Sequence, residues 1–132
     1  MKLEFLSYSE KEFKAEDVIR IYKDAGWWQE RNEQDIDKML KNEISVGAWS
    51  NYMLIGFTRA VTDGQFRAYV EDVVIHSDFQ KTGIGTKLVS RLLAEISHID
   101  VISLFCEEKL IPFYEKNNFK SSRSQFVLHR KG

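Results

Sequence analysis

Cysteine is almost missing from this chain. Cys106 stands alone among 132 residues, which rules out an internal disulfide and suits a reducing cytoplasm. Charge of one sign is missing too. Nineteen basic and twenty acidic residues leave a net charge of −1, so no strong pull toward nucleic acid or an anionic membrane is expected. No apolar run approaches the roughly 20 residues of a membrane span. Residues 1–10 carry no long apolar stretch, so neither a signal peptide nor an anchor is expected there. The chain has no repeat, low-complexity tract or linker, and a single proline, Pro112. His76 and His98 lack metal-ligand spacing and a third partner, so no metal site is predicted. What remains is one domain, 1–132, large enough to bury about two-thirds of its unfolded surface.

The most informative stretch is 66–96. Phe66 to Ile75 is rich in β-branched and aromatic residues and reads as a strand. Phe66, Ala68, Val70 and Val74 fall on one side, and Tyr69, Val73 and Ile75 on the other, as in a central strand covered on both faces. Glu71 and Asp72 interrupt it, one per face unless a bulge intervenes. Two adjacent carboxylates in mid-strand are costly to bury without partners, which makes them functional candidates. Pairing with Arg59 or Arg67 across the sheet is the structural alternative. Gln80-Lys81-Thr82-Gly83-Ile84-Gly85 follows, and then an apolar stripe of Ile84, Leu88, Val89, Leu92, Leu93 and Ile96 at helical spacing. Glycines at a helix start admit a ligand to the unpaired first-turn amides, a site suited to phosphate oxygens, with Lys81 and Lys87 as added cations. The loop lacks the P-loop spacing. Leu88 stands where a dinucleotide fingerprint needs glycine or alanine.

In chain order, Leu3 to Tyr8 reads as an edge strand and Phe13 to Asp24 as a helix ended by Gly26. Trp27 and Trp28 fall in a loop, and Asn32 or Glu33 opens a second helix. Ile44 to Trp49 and Tyr52 to Val61 read as a hairpin about Ser50-Asn51, and 62–65 as a turn. Val101 to Cys106 reads as a short buried strand with Cys106 a core residue, parallel to the strand before the helix. Leu110 to Asn117 reads as a short helix with Pro112 in its first turn and a left-handed cap at Asn117-Asn118. Phe119 and Phe126 to His129 read as one or two final strands.

The loop Gln80–Gly85, the flanking Val73-Val74-Ile75 and Leu88-Val89, and Pro112-Phe113-Tyr114-Glu115-Lys116-Asn117-Asn118-Phe119 together resemble the GNAT N-acetyltransferase superfamily. The resemblance spans most of the chain and is specific over 69–96 and 106–119. Asn118 departs from the glycine usual in the second motif. The resemblance implies an α+β, α/β/α sandwich-like fold. Its sheet would be mixed and mostly antiparallel, with about four helices and a parallel fourth and fifth strand that splay apart. It implies acetyl-CoA as cosubstrate, with no metal. Main-chain groups of Val73, Val74 and Ile75 would meet the pantetheine arm. Gln80, Lys81, Thr82, Gly83, Ile84, Gly85 and Thr86 would hold the pyrophosphate. Tyr114 stands where the family has its general acid, and Glu71 is the candidate base. Asp72, Trp27 and Trp28 would face the acceptor, a primary amine on a small molecule or peptide, with a small cationic amine expected. Core packing is the plainer reading of at least one tryptophan. Edge strands near both termini leave a homodimer open. The alternatives are a non-catalytic acyl-CoA-binding or sensing domain on the same fold, and an unrelated α+β interaction module.

Overall fold

A computed structural model describes residues 2–80 and 83–131. Five strands and four helices follow one another as β1 (Leu3–Ser7), α1 (Ala15–Ala25), α2 (Glu33–Asn42), β2 (Ile44–Ser50), β3 (Met53–Thr62), β4 (Arg67–Ile75), α3 (Ile84–Glu95), β5 (Val101–Leu104) and α4 (Ile111–Glu115). Strands lie side by side in chain order, antiparallel except for the last pair, β4 and β5, which run parallel.

Local chemistry sets the helix ends. Gly26 takes φ 75° after α1, and the N–H of Trp27 returns to the carbonyl of Tyr22 at 2.9 Å. The Asn32 side chain accepts from the Asp35 N–H at 2.9 Å and opens α2. Asn118, at φ 67°, closes α4 in the left-handed turn that asparagine tolerates. Spacing then decides the packing. Val18, Ile21 and Tyr22 of α1, with Ile36 and Leu40 of α2, form one apolar layer with Trp49, Leu54, Phe57 and Val74. Ile84, Leu88 and Leu92 of α3 form a second layer on the other sheet face with Val46, Ile55, Ala68 and Val70.

β4 is not the regular strand the alternation predicts. Phe57 opposes Val74 and Arg59 opposes Glu71, so Asp72 and Val73 together oppose Thr58 alone. This is a β-bulge, with Asp72 at φ 58°. The extra residue switches the faces. Ala68 and Val70 pack with α3, but beyond the bulge Val73 and Ile75 take that side and Val74 joins the α1/α2 layer. The expected grouping of Val74 with Ala68 and Val70 is therefore corrected. The strand is covered on both faces, by α3 and by α1, but it is not central: it lies one place from the sheet edge, with Tyr69, Glu71, Val73 and Ile75 only half-buried.

Other expectations shift as well. Phe13 lies before α1, buried against Trp49 and Phe57. The hairpin turns at Asn51-Tyr52, since Ser50 pairs with Met53. β5 stops at Leu104, leaving Cys106 exposed rather than in the core. No strand forms among described residues 119–131. Phe119 packs beside Tyr114 and the α3 layer, whereas Phe126 and Leu128 are 82% and 92% exposed. Strand-like composition needs a ladder partner to become a strand, and here the Ser122 hydroxyl instead accepts from the N–H groups of Ser124 and Gln125. No helix of the described residues is long and apolar enough to cross a membrane.

Candidate active site

Pairing between β4 and β5 runs from Arg67–Val101 to Val70–Leu104 and then ends. β4 continues to Ile75, so beyond the bulge its β5-facing edge is left without a strand. A cleft of about 450 Å³ opens there. Val73 and Ile75 form one wall, Gly83 to Thr86 the floor, and Phe113 and Tyr114 the opposite wall. Val74 turns its side chain into the α1/α2 layer instead. Lys81 and Thr82 lie outside the described residues.

The floor is the start of α3. Gly83 takes φ 77°, which an L side chain adopts only at a cost, and the first intrahelical bond runs from Lys87 N–H to Gly83 O at 3.2 Å. Amides before Lys87 belong to the first turn, where a helix supplies no acceptor of its own. Gly85 has a different reason. A Cβ there would stand 3.0 Å from Cζ of Phe113, so glycine lets the α4 aromatic lie flat on the first turn of α3. The Asn117 amide donates to Thr86 O at 3.1 Å and fastens the end of α4 to the same turn. Gln80 lines the cleft and donates from Nε2 to Ile75 O at 3.1 Å, tying the loop to the strand end. Asp24 of α1 accepts from Ser77 N–H at 2.7 Å and from its hydroxyl at 2.8 Å, and these bonds hold its carboxyl below the usual range.

Tyr114 projects from α4 into the cleft, with its ring 4.9 Å from Phe113 and 6.1 Å from Phe119. Burial, and secondarily Cys106 nearby, push its phenol up to about 12. At neutral pH the phenol is therefore protonated.

On the α1/α2 face, the bulge brings both carboxylates to Arg59, but not equally. Asp72 is the buried one. Its Oδ2 accepts from Arg59 Nε at 2.7 Å and Tyr22 Oη at 2.9 Å, and its Oδ1 from Trp28 Nε1 at 3.2 Å. Burial and the Asp72 charge push the Tyr22 phenol up. Arg59 Nη1 also meets Glu43 at 2.7 Å, while Glu71 stands off at 4.0 Å from Nη2. Glu71 keeps 26% side-chain exposure. Burial first and the Asp72 charge second push its carboxyl above the ordinary range, against the opposing pull of Arg59. Asp72, expected to face the acceptor, has both oxygens occupied within the protein and acts as a brace. Trp28, at φ 49°, is held by that brace, whereas the half-exposed Trp27 takes no part in it.

The structure sets Gln80, Gly83 to Thr86 and Tyr114 around one opening, whereas Glu71 stands beside Arg59 on the α1/α2 face; the pairing of a carboxylate with Arg59 is the alternative that Asp72 realises. Tyr22, Arg31 and Glu43 were missed as site residues, and Asn117 was expected as a helix cap but not as the tether to Thr86. Their partners lie 16 to 50 positions away in the sequence, and no local pattern marks them.

Comparison with known proteins agrees with this geometry. The model of the acetyltransferase (GNAT) family matches residues 7–119. The chain belongs to the GNAT acetyltransferase family. An uncharacterized N-acetyltransferase ycf52 of Pyropia yezoensis is 34% identical over 103 residues, which are 73% of this GNAT chain and 59% of that protein. The chloroplastic GCN5-related N-acetyltransferase 2 of Arabidopsis thaliana is 34% identical over 70 residues, 52% of this chain and 27% of that one. The chain thus spans well under two-thirds of the length of these relatives. Among solved structures, a GNAT family acetyltransferase of Streptococcus pneumoniae superposes with a TM-score of 0.78 at 22% identity, covering 98% of this chain and 100% of that one. A predicted acetyltransferase of Clostridium acetobutylicum, solved with acetyl-CoA, gives 0.71 at 15% identity, covering 97% and 96%. At such identities the likeness is one of GNAT fold.

Proposed function

We propose that this chain transfers the acetyl group of acetyl-CoA directly to a primary amine. One observation carries the reading. β4 and β5 part company at Val70 and Leu104, beside the start of α3 and opposite Tyr114. An open strand edge offers main-chain partners to an extended amide-bearing arm, and first-turn amides offer donors to a diphosphate. Gly83 to Thr86 and the end of β4 suit those two halves of one ligand, and no redox or metal chemistry is needed.

The reaction balances within the site. A primary amine has a pKa near 10 and arrives as ammonium, so it must lose a proton before attack. Glu71, partly open and held above the usual carboxylate range, takes that proton directly or through water. The nitrogen lone pair attacks the thioester carbonyl and the C–N bond forms. Backbone donors of the bulged strand stabilise the oxyanion. The C–S bond then breaks, the electron pair leaves on sulfur and takes the Tyr114 phenol proton, and the new amide nitrogen gives up its remaining extra proton, through water, to the phenolate.

Thiol release from acetyl-CoA across amines, amino sugars, amino acids and peptides tests this. Turnover with at least one acceptor is expected. Tyr114→Phe should lower kcat by roughly 100-fold or more, the usual scale of a general acid. Tight CoA binding with no turnover on any acceptor would overturn the proposal in favour of an acyl-CoA-binding domain.

A further inference from the structure

Two arginines approach the carboxylates on the α1/α2 face, and they are bonded very differently. Arg59 is consumed by Asp72 and Glu43, each at 2.7 Å. Arg31 lies at the entrance to α2 with its guanidinium 4.0 Å over the Trp28 ring and 6.0 Å from that of Tyr22. Its approach to Asp72 is long, 3.7 Å from Nη1 to Oδ2, because Tyr22, Trp28 and Arg59 already occupy that carboxylate. Among the described residues the Arg31 guanidinium makes no hydrogen bond, and its side chain is 30% exposed against 2% for Asp72. A planar fork of five donors is therefore oriented by stacking, drawn inward by a carboxylate it does not saturate, and open on its outer side.

The charges around Glu71 sharpen the point. Asp72 and Glu43 offset Arg59 and Arg31, which leaves Glu71 as the unmatched carboxylate. Arg31 is close enough to act on Glu71, on which Asp72, Arg59 and the Tyr69 phenol also act. The surroundings thus pair one unmatched carboxylate with one under-bonded guanidinium. A simple diamine satisfies the first and brings a like charge to the second. A molecule with an ammonium and an oxyanion satisfies both.

Resting on the transferase reading above, we infer that the acceptor is an amine carrying a carboxylate or phosphate near its reacting nitrogen, and that Arg31, braced on Trp28, selects it. The oxyanion lies in the plane of the guanidinium and takes the donors that Asp72 leaves open. The ammonium is then directed to Glu71. Arg31 determines specificity and takes no part in proton transfer.

Matched acceptors test this by thiol release: an amino acid against its amide, an amino sugar phosphate against the bare amino sugar, and an aliphatic diamine. The oxyanion-bearing member of at least one pair should exceed its neutral twin by about tenfold or more in kcat/KM, the scale of a hydrogen bond to a charged group. Which pair responds tells carboxylate from phosphate. Arg31→Met should erase the preference mainly through KM, and Arg31→Lys should restore part of it. Neutral twins or the diamine reacting equally well would overturn the inference while the transferase reading stands. So would an Arg31→Met protein, shown folded by its Tm, that loses activity on all acceptors alike. Silence with every acceptor overturns both readings.

Discussion

Glu71 and Asp72 are the same chemical group one residue apart, and a single backbone angle separates their fates. With φ 58° at Asp72, its carboxylate enters the sheet–helix layer and collects an arginine, a phenol and an indole. Glu71 stays at the rim, 4.0 Å from the nearest guanidinium nitrogen. Removing one partner from a buried ion pair strands the other, so Asp72→Ala should lower unfolding free energy by about 3–5 kcal/mol, measured by urea titration. Glu71→Gln should behave oppositely. The folded state raises the Glu71 pKa above its reference of 4.5, so its contribution to stability is present below that value and lost as pH rises through the folded pKa. At neutral pH the ionised side chain is a net penalty. Glu71→Gln should then unfold at an equal or higher urea concentration while transfer slows. The same shift sets a pH signature. Once the ionisation of the amine itself is allowed for, the acid limb of kcat/KM should lie above 4.5. It should move down in Asp72→Asn, which removes a neighbouring negative charge, and vanish in Glu71→Gln.

At the scale of elements, a glycine decides whether the cleft keeps its shape. Phe113 rests against Gly85 and carries Tyr114 beside it on α4, itself fastened through Asn117 to Thr86. A methyl at 85 would stand 3.0 Å from the Phe113 ring and push α4 outward. Gly85→Ala should therefore weaken CoA binding and lower kcat together, and Phe113→Leu in the same chain should recover part of both; calorimetry and thiol release read the two. That motif was legible from sequence because its chemistry is local: two glycines before a helical stripe, and Phe-Tyr followed by Asn-Asn. The helix ends at Gly26 and Asn32 were legible for the same reason. The bulge was not. It arises from the register between Thr58 and the Asp72-Val73 pair, and sequence alternation carries no record of a neighbouring strand. The face assignment of Val74 failed on that one register shift, which also turns the Asp72 carboxylate inward to Arg59, Tyr22 and Trp28. The last strand failed for the complementary reason. Phe126 to His129 have strand composition, yet no ladder partner meets them, and composition alone does not make a strand.

Across the whole molecule, the bulge separates two half-sites. Beyond it, the open edge of β4, the start of α3 and α4 form the cleft. On the α1/α2 face, Asp72 ties together α1, the loop carrying Trp28 and Arg31, and β3, while Glu43 at the end of α2 reaches the same Arg59. The halves share β4, and on the proposed reading they bind through different groups, a separation that can be measured. Acetyl-CoA at 100 times its Kd should stabilise the fold by about 2.7 kcal/mol. For a chain of this length that raises Tm by roughly 10 °C. Arg31→Met touches only the acceptor half, so it should keep the full rise, whatever its effect on acceptor choice. Gly85→Ala displaces the wall of the cleft and should lose much of the rise. If Arg31→Met instead lost the rise as fully as Gly85→Ala, the two regions would be one cooperative unit, and the division of labour at the bulge would be wrong.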